Sequence, residues 1–313
     1  MSLEGRSLLT LKDFSAEEIE ELLNLAATAK RDSSSGVRHR RFEGRTLAMI
    51  FEKRSTRTRC AFETAFGEEG GHPVFLAPND IHLGEKESVE DTARVLGRMF
   101  DCIQFRGYKQ ATAETLAAYS GKPVYNGLTD SYHPTQVLAD LLTLRETTGS
   151  LAGRKLAFVG DGRNNVARSL LIGCAKMGVS MSIGAPRELQ PDDDIVSIAR
   201  SFAATSGATI EIGRDPVNTV RGADAVYTDV WYSMGEEAKA AERIALLTTY
   251  RVDDALMEAT GLQTSVFLHC LPAVKGNEVT ASVIDGPRSR AWDQAENRKH
   301  TIKAVMLATL GLA

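Results

Sequence analysis

Short apolar runs alternate with longer segments of helical periodicity along most of this chain. The first half contains four such runs, Thr46–Ile50, Pro73–Ala77, Cys102–Phe105 and Pro123–Tyr125. Helix-like segments separate them, and one of these extends from about Val89 to Met99. Parallel strands need a long crossover connection, usually a helix, and that connection is almost always right-handed. The alternation therefore predicts βαβ units that build a parallel sheet.

The same alternation starts again in the second half of the chain. Its apolar runs are Lys155–Val159, Val179–Ile183, Thr209–Ile212, Ala225–Tyr227 and Val266–Leu268. Helices are expected between them, near Asp194–Ser206, Lys239–Tyr250 and Asp253–Thr260. Strands that alternate with helices in this way form an α/β layer structure. The two halves are therefore predicted to be two copies of one architecture.

The expected joint between the halves is the loop from Arg145 to Gly153. We predict an α/β fold with two doubly wound parallel-sheet domains of similar architecture, residues 1–147 and 148–293. A last helix, from about Glu296 to Leu310, is expected to pack back on the first domain, so that residues 294–313 return to it. Each domain then has the size of an ordinary single domain.

Composition excludes several classes of protein. The 313 residues are 43% hydrophobic and carry a formal net charge of -4, which gives no reason to expect nucleic acid or an acidic membrane surface as a partner. No apolar run approaches the length of a bilayer span, and no signal peptide is recognisable. The four cysteines are far apart and form no C-x-x-C pair, which predicts neither a disulfide framework nor a zinc site. A reducing cytoplasm is the expected compartment.

The segment Ser55-Thr-Arg-Thr-Arg59 follows the first apolar run and precedes a helix-like segment. A helix that begins there presents free backbone N–H groups at the positive end of its dipole, and the hydroxyls add further donors. Arginine forks can grip phosphate or carboxylate oxygens in a bidentate way. The segment therefore indicates an anion site. The alternative is a capped helix start with solvated arginines around it.

Ligands of open α/β sheets bind at the carboxyl ends of the strands. In the first half these ends carry cationic and donor groups, namely Ser55 to Thr58, Arg106 and His133-Pro-Thr-Gln136. In the second half they carry amides, a carboxylate, a hydroxyl and a thiol, namely Asn164-Asn165, Asp229, Ser233-Met-Gly235 and His269-Cys270, with Arg298 beyond. The first set suits a phosphate and the second suits an amino acid with a cationic amine. Together they suggest a transferase that joins an anionic donor to an amine.

Each of these residues also has a structural alternative. Arg106 is compatible with a surface turn, His133 and Asp229 with helix caps, and Cys270 with a small core residue. Cys60, Cys102 and Cys174 are expected on apolar faces. Two nucleotide-binding hypotheses are disfavoured, because Asn165 stands where a dinucleotide fingerprint needs its third glycine and the chain has no G-x-x-x-x-G-K-[ST].

The chain resembles the carbamoyltransferases, and within them those that use ornithine, from about Leu8 to its C-terminus. The motifs that carry the resemblance are Ser55-Thr-Arg-Thr-Arg59, Leu83-Gly-Glu-Lys-Glu-Ser88, Gln104-Phe-Arg106-Gly107, His133-Pro-Thr-Gln136, Asp229-Val-Trp-Tyr-Ser-Met-Gly235, Phe267-Leu-His-Cys-Leu-Pro272 and Ala295-Glu-Asn-Arg298. They occur in the order and spacing of the family, which makes the match specific.

The resemblance implies a residue set for each of two substrates. The carbamoyl phosphate set is Ser55, Thr56, Arg57, Thr58, His82, Arg106, His133, Gln136, Cys270, Leu271 and Arg298. The L-ornithine set is Asn165, Asp229, Ser233 and Met234. It also implies a homotrimer with active sites at subunit interfaces, in which His82 reaches the phosphate bound by a neighbouring subunit.

The implied chemistry is carbamoyl transfer to the side-chain amine of ornithine, which gives citrulline and phosphate without a metal or an organic cofactor. Asp229 and Cys270 would orient the amine as it loses its proton. Arg57, Arg106 and His133, with Arg298, would stabilise the oxyanion and the departing phosphate. The acidic segment Ser233–Glu237 disfavours aspartate as the acceptor. A carbamoyltransferase with another amine acceptor and a non-catalytic amino-acid or phosphate-binding protein remain the alternatives.

Overall fold

The fold is that of a computed structural model, which describes residues 3–81, 83, 86–232 and 237–313. It divides into two compact units. The first comprises Met1–Leu142 and Glu296–Ala313, and the second comprises Thr143–Ala295. The division falls within two continuous helices, so no loop marks it. The domain boundaries that we predict from the sequence, at 147/148 and 293/294, stay predictions.

Four parallel strands form the sheet of the first unit, in the order β2-β1-β3-β4. Its strands are β1 (Thr46–Phe51), β2 (His72–Leu76), β3 (Cys102–Arg106) and β4 (Val124–Leu128). Its helices are α1 (Ala16–Ser34), α2 (Thr56–Gly67), α3 (Val89–Met99), α4 (Gln110–Ser120) and α5 (Pro134–Thr148), the last of which continues into the second unit.

Five parallel strands form the sheet of the second unit, in the order β7-β6-β5-β8-β9. They are β5 (Lys155–Val159), β6 (Ser180–Gly184), β7 (Ile210–Gly213), β8 (Ala225–Thr228) and β9 (Val266–His269). The helices are α6 (Asn165–Lys176), α7 (Asp193–Ser206), α8 (Pro216–Val220), α9 (Ala240–Leu247), α10 (Asp254–Glu258) and α11 (Ala281–Ile284). The last helix, α12 (Ala291–Thr309), begins in this unit and continues into the first. The prediction of two parallel-sheet α/β domains is confirmed.

Local sequence accounts for where the helices begin. Ser15 and Glu18 form a reciprocal capping box at the start of α1, which the Ser-x-x-Glu spacing predicts. Ser55, Ser88 and Asn164 cap α2, α3 and α6, and each side chain accepts a hydrogen bond from the backbone N–H three residues later. Such caps stabilise a helix by about 1 kcal/mol. Two of these caps therefore also place the first turns of helices that carry candidate site residues.

Strand β3 shows how the sheet of the first unit separates core from site. Ile103 and Phe105 are fully buried in an apolar cluster with residues of α3 and α4, including Leu96 and Leu116. Because side chains alternate along a strand, Gln104 and Arg106 lie on the opposite face. Arg106 is the last residue of β3. The strand thus delivers a buried arginine to the carboxyl edge of the sheet.

Helix α12 returns to the first unit, as the sequence predicts, although it begins at Ala291 rather than near Glu296. Lys299 and Lys303 form ion pairs with Glu68, just after α2, and Lys303 also pairs with Glu69 at 3.3 Å. Tyr125 in β4 shares a 2.7 Å hydrogen bond with Thr309. These contacts fix the last helix against strand β4 and against the end of α2, the helix that begins at the Ser55–Thr58 turn.

Three sequence predictions are wrong in detail. The expected loop from Arg145 is helical as far as Thr148, and Thr148 Oγ1 donates to the Leu144 carbonyl. The expected helix Lys239–Tyr250 is α-helical only over Ala240–Leu247, with 3₁₀ turns on both sides. Cys60 is exposed on α2 instead of lying on an apolar face, whereas Cys102 and Cys174 are buried.

Within the described ranges, none of the helices is both long and apolar enough to cross a lipid bilayer.

Candidate active site

The turn between β1 and α2 forms the centre of the candidate site in the first unit. Ser55 has an extended backbone, and its Oγ accepts a hydrogen bond from the Thr58 N–H at 3.1 Å. Thr56 and Arg57 open the helix directly after this cap. The N–H groups of a first helical turn lie at the positive end of the helix dipole. The local structure therefore suits an anion, as the sequence predicts.

Two buried guanidinium groups meet at Thr58. Arg106 Nη1 donates to Thr58 Oγ1 at 3.1 Å, and Arg298 Nη2 donates to the same oxygen at 3.0 Å. Thr58 is inaccessible, and Arg106 and Arg298 are only 8% and 2% exposed. Like charges repel strongly where little water is present. A bound anion would relieve this repulsion, so the arrangement favours phosphate.

His133 lies beside these arginines and is neutral at ordinary pH. Burial lowers the pKa of its imidazole well below the usual value, and the positive charges of Arg298, Arg106 and Arg57 lower this pKa further. Its Nδ1 is 3.4 Å from Thr135 Oγ1. A neutral imidazole still offers one N–H donor. His133 can therefore polarise a carbonyl group without adding a fourth positive charge.

Gln136 lies in the first turn of α5, and its backbone N–H donates to the His133 carbonyl at 3.1 Å. Its side-chain Nε2 donates to Asp140 Oδ1 at 2.8 Å, one helical turn further on. Both side chains are 1% exposed. The sequence analysis missed Asp140, a buried residue that contacts the candidate ligand-binding residue Gln136. Its spacing of four residues from Gln136 is the signal that could have found it.

Three loops at the carboxyl edge of this sheet are tied together by residues that the sequence analysis also missed. Glu52 Oε2 accepts from the Tyr108 N–H at 2.9 Å, and Lys53 Nζ pairs with Asp130 at 2.6 Å. A Cβ at Gly107 would collide with the Glu52 carboxylate and with the buried Phe105 ring, so any other residue there would displace at least one of these groups. These contacts connect the ends of β1, β3 and β4. They hold the segments that carry Arg57, Arg106 and His133.

Asp229 is the centre of the candidate site in the second unit. Its Oδ1 accepts from Cys270 Sγ at 3.1 Å and from the Val230 N–H at 2.8 Å, and its Oδ2 accepts from Asn164 Nδ2 at 3.3 Å. Burial raises the pKa of the Asp229 carboxyl, while His269 and the hydrogen bonds from Cys270 and Val230 oppose the increase. The carboxylate and the thiol therefore form a direct pair, suited to holding an amine as it gives up a proton.

Asn164 is fixed by two hydrogen bonds. Its Oδ1 caps α6 by accepting from the Ala167 N–H at 2.7 Å, which leaves Nδ2 to donate to Asp229. The cap thus sets the orientation of the amide. The strand-end residues identified from the sequence include Asn164, but of the two asparagines the ornithine set implied by the resemblance contains only Asn165, whose backbone carbonyl accepts from Ser169 Oγ. Asn164 is therefore an additional site residue, and its N-cap position was the available signal.

His269 supports the turn that carries Cys270 and Leu271. Its Nδ1 accepts from the Leu271 N–H at 2.8 Å, and its Nε2 lies 3.4 Å from Glu278 Oε1. His269 and Glu278 are both inaccessible to solvent. Leu271 has a φ of 60°, in the left-handed region that non-glycine residues rarely adopt. The buried histidine thus stabilises an uncommon backbone conformation directly beside Cys270.

Asp229, His269 and Cys270 also place one oxygen, one nitrogen and one sulfur within 4.8 Å of one another. Such a mixed set is of the kind that Zn²⁺ accepts, although a closed zinc site has four ligands. The absence of a required metal stays a prediction.

The two units group the remaining predicted residues as follows. The first unit brings Ser55, Thr58, Arg106, Arg298 and, through Thr135, His133 into one connected set. Gln136 lies in the first turn of α5, which begins directly after His133. The second unit joins Asp229 to Cys270, and Leu271 follows in the chain. His82, Ser233 and Met234 lie outside the described residues. The roles of all these residues stay predictions.

Two family models cover most of the chain. The carbamoyl-P binding domain of aspartate/ornithine carbamoyltransferase matches residues 6–146, and the Asp/Orn binding domain matches residues 152–309.

Individual proteins are similar over the full length. An ornithine carbamoyltransferase from Caldanaerobacter subterraneus subsp. tengcongensis is 63% identical over 309 residues, with 99% of each chain covered. One from Pseudothermotoga lettingae is 63% identical over 310 residues, again with 99% of each chain covered. The solved structure of ornithine carbamoyltransferase from Pyrococcus furiosus superposes with a TM-score of 0.97 at 46% identity and covers 99% of each chain.

Proposed function

The chain belongs to the aspartate/ornithine carbamoyltransferase family, and on that premise we propose that it carbamoylates the side-chain amine of L-ornithine. The donor is carbamoyl phosphate, and the products are L-citrulline and phosphate. The amine lone pair attacks the carbamoyl carbon, and the bond from that carbon to the phosphate oxygen breaks. The amine loses a proton, and phosphate leaves with the electron pair.

The convergence of Arg106 and Arg298 on Thr58 is the observation that carries the donor half of this proposal. Phosphate would accept from the first turn of α2, which Ser55 caps, and from the arginine forks. Neutral His133 would donate to the carbamoyl oxygen as negative charge develops there. In this proposal Ser55, Thr56, Arg57, Thr58 and Arg106 bind the phosphate, and His133, Gln136, Leu271 and Arg298 bind the carbamoyl group.

The Asp229–Cys270 pair supports the acceptor half. An amine attacks only through its unprotonated form, and a half-buried carboxylate beside a thiol can orient it and take part in its deprotonation. Asn165, Asp229, Ser233 and Met234 are proposed to bind ornithine. The full-length relatives with 63% identity, both named for ornithine, support this acceptor over aspartate.

Product analysis tests the reaction directly. Purified protein supplied with carbamoyl phosphate and ornithine, without added metal, should release citrulline and phosphate in equal amounts. Parallel reactions with aspartate and putrescine should give almost no product. Carbamoylaspartate as the main product would contradict the proposed acceptor. Tight binding of either substrate without turnover would support a binding protein instead.

We also propose a homotrimer in the cytoplasm that serves arginine metabolism, with His82 acting on the phosphate of a neighbouring subunit. Membership of the carbamoyltransferase family supports the trimeric assembly. The proposed product, L-citrulline, supports the role in arginine metabolism. Mixing inactive variants at His82 and Arg57 should restore part of the activity in hybrid trimers. No recovery after verified subunit exchange would contradict a shared site.

A further inference from the structure

Gln136 and Asp140 form a buried pair on α5, the helix whose first turn contacts Arg298 through Thr135. Gln136 Nε2 donates to Asp140 Oδ1 at 2.8 Å, and both side chains are 99% shielded from solvent. Pairs of this spacing are common on exposed helix surfaces, where they add a little helix stability. A fully buried pair is different, because each polar atom that lacks a partner is costly there.

The chemistry of Asp140 determines which way the Gln136 amide faces. The Asp140 oxygen accepts the hydrogen bond from Gln136 Nε2, so the amide nitrogen faces Asp140. The amide oxygen, Oε1, is then turned away from Asp140. It is buried and makes no hydrogen bond to any residue in the described part of the chain. Gln136 therefore holds an unused acceptor in a fixed direction.

The first turn of α5, which carries this acceptor, also contacts the buried guanidinium group of Arg298. Gln136 shares the first turn of α5 with Thr135, which accepts from Arg298 Nη2 at 3.5 Å, and it follows His133 in the chain. Arg106, Arg298 and His133 all supply N–H groups to an incoming ligand. Donors of this kind bind phosphate and carbonyl oxygens. N–H donors alone therefore cannot distinguish two acyl phosphates that have the same phosphate and carbonyl oxygens.

We propose that Asp140 is a positioning residue that makes the site select carbamoyl phosphate over acyl phosphates such as acetyl phosphate. Asp140 holds Gln136 Oε1 as an acceptor for the carbamoyl NH₂ group. Acetyl phosphate has the same phosphate and carbonyl but a methyl group in place of NH₂, so its binding leaves Oε1 buried and unpaired. Sites that hydrogen-bond a substrate N–H reject analogues that lack it. The inference rests on the proposed donor.

The test is the ratio of two dissociation constants, for acetyl phosphate and for carbamoyl phosphate, measured by competition without ornithine. In Asp140→Asn the neighbour of Gln136 can donate as well as accept, so the Gln136 amide is free to turn. The ratio should fall about tenfold, because carbamoyl phosphate loses one hydrogen bond and acetyl phosphate loses none. Asp101→Asn is the matched control, since this carboxylate binds Thr46 and Arg45 at the amino ends of the strands. Its ratio should stay at the wild-type value.

Gln136→Met removes the acceptor itself and should lower the ratio by a similar factor. If Asp140 acts through Gln136, adding Asp140→Asn to Gln136→Met should change the ratio no further. An unchanged ratio in Asp140→Asn, or an equal loss for both ligands, would overturn the inference. If Asp140→Asn does not fold, an unchanged ratio in Gln136→Met overturns it instead. Wild-type protein that forms no citrulline but shows these ratios would contradict the proposed reaction alone.

Discussion

Arg298 donates a hydrogen bond to Thr58 Oγ1 at 3.0 Å, across 240 positions of the chain. Arg106 donates to the same oxygen from the end of β3. The candidate anion site of the first unit thus combines residues from the start of α2, the end of β3 and the last helix. No single segment of the sequence contains it.

Arg298→Met should weaken carbamoyl phosphate binding about 10- to 100-fold, because it removes a buried charged donor. Titration calorimetry or the KM for carbamoyl phosphate would measure the loss. Lys299→Met is the matched control, since it removes a cation from the next position and breaks only the ion pair with Glu68. Wild-type affinity in Arg298→Met would show that Arg298 does not bind the donor.

Arg57→Gly should lower kcat/KM by about 10²-fold or more, because Arg57 is proposed to bind the phosphate and the carbamoyl oxygen. Arg59→Gly is the control, because glycine at either position should lower the stability of α2 by about 1 kcal/mol. Arg59 pairs with Glu63 and stacks over Phe75, so its loss should reduce stability and leave kcat/KM within about threefold. Equal losses of activity in the two variants would refute the separate role of Arg57.

Asn164→Ser should lower kcat/KM for ornithine about tenfold while leaving stability close to wild type. Serine keeps the cap of α6 but cannot supply the amide donor to Asp229. Asn164→Ala loses both contacts and should cost about 1 kcal/mol of stability in addition. Steady-state kinetics and urea unfolding separate the two effects. Normal kinetics in Asn164→Ser would show that its contact with Asp229 is not needed for activity.

His300 should make folding stability depend on pH below neutrality. Burial, with Lys299, Lys30 and Lys303 nearby, lowers the pKa of this imidazole to about 4, although Glu68 opposes the shift. As the pH falls from about 6.5 towards 4, the unfolded chain binds a proton that the folded chain excludes. Stability should therefore fall by up to about 1.4 kcal/mol per pH unit in this range.

The variant His300→Gln should lose this part of the pH dependence, and urea unfolding at a series of pH values would measure it. His72→Gln, at an exposed position of β2, is the control and should keep the wild-type slope. Identical slopes in wild type and His300→Gln would mean that His300 is not the group responsible.

The sequence predicted what depends on local patterning. Helix α3 has the predicted ends, Val89 and Met99, because Ser88 caps it and its apolar residues recur at helical spacing. Strand β5 also has the predicted ends. The expected helix through Tyr250 fails because its last turn tightens, and there the Tyr250 hydroxyl donates to the Arg214 carbonyl at 2.6 Å. That partner lies 36 positions away, beyond the reach of periodicity.

In the candidate site, too, local motifs could be predicted from the sequence and contacts between distant segments could not. The resemblance located Thr58, Asp229 and Cys270, because each lies within a recognisable motif. It could not show that Asn164 reaches Asp229 across 65 positions, or that Glu52 supports the Tyr108 backbone across 56 positions. Such contacts depend on which strands are neighbours in the sheet. The pair Gln136–Asp140 is local, and helix spacing alone could have indicated it.

The return of α12 has a consequence for protein synthesis. All strands of the first sheet have been synthesised once the ribosome has added Leu128, but Arg298 is added only near the end of the chain. A ribosome must make the whole second unit before the first unit receives its last arginine. A message with a premature stop codon between positions 129 and 298 would therefore encode a first unit that still has all of its strands but lacks this arginine.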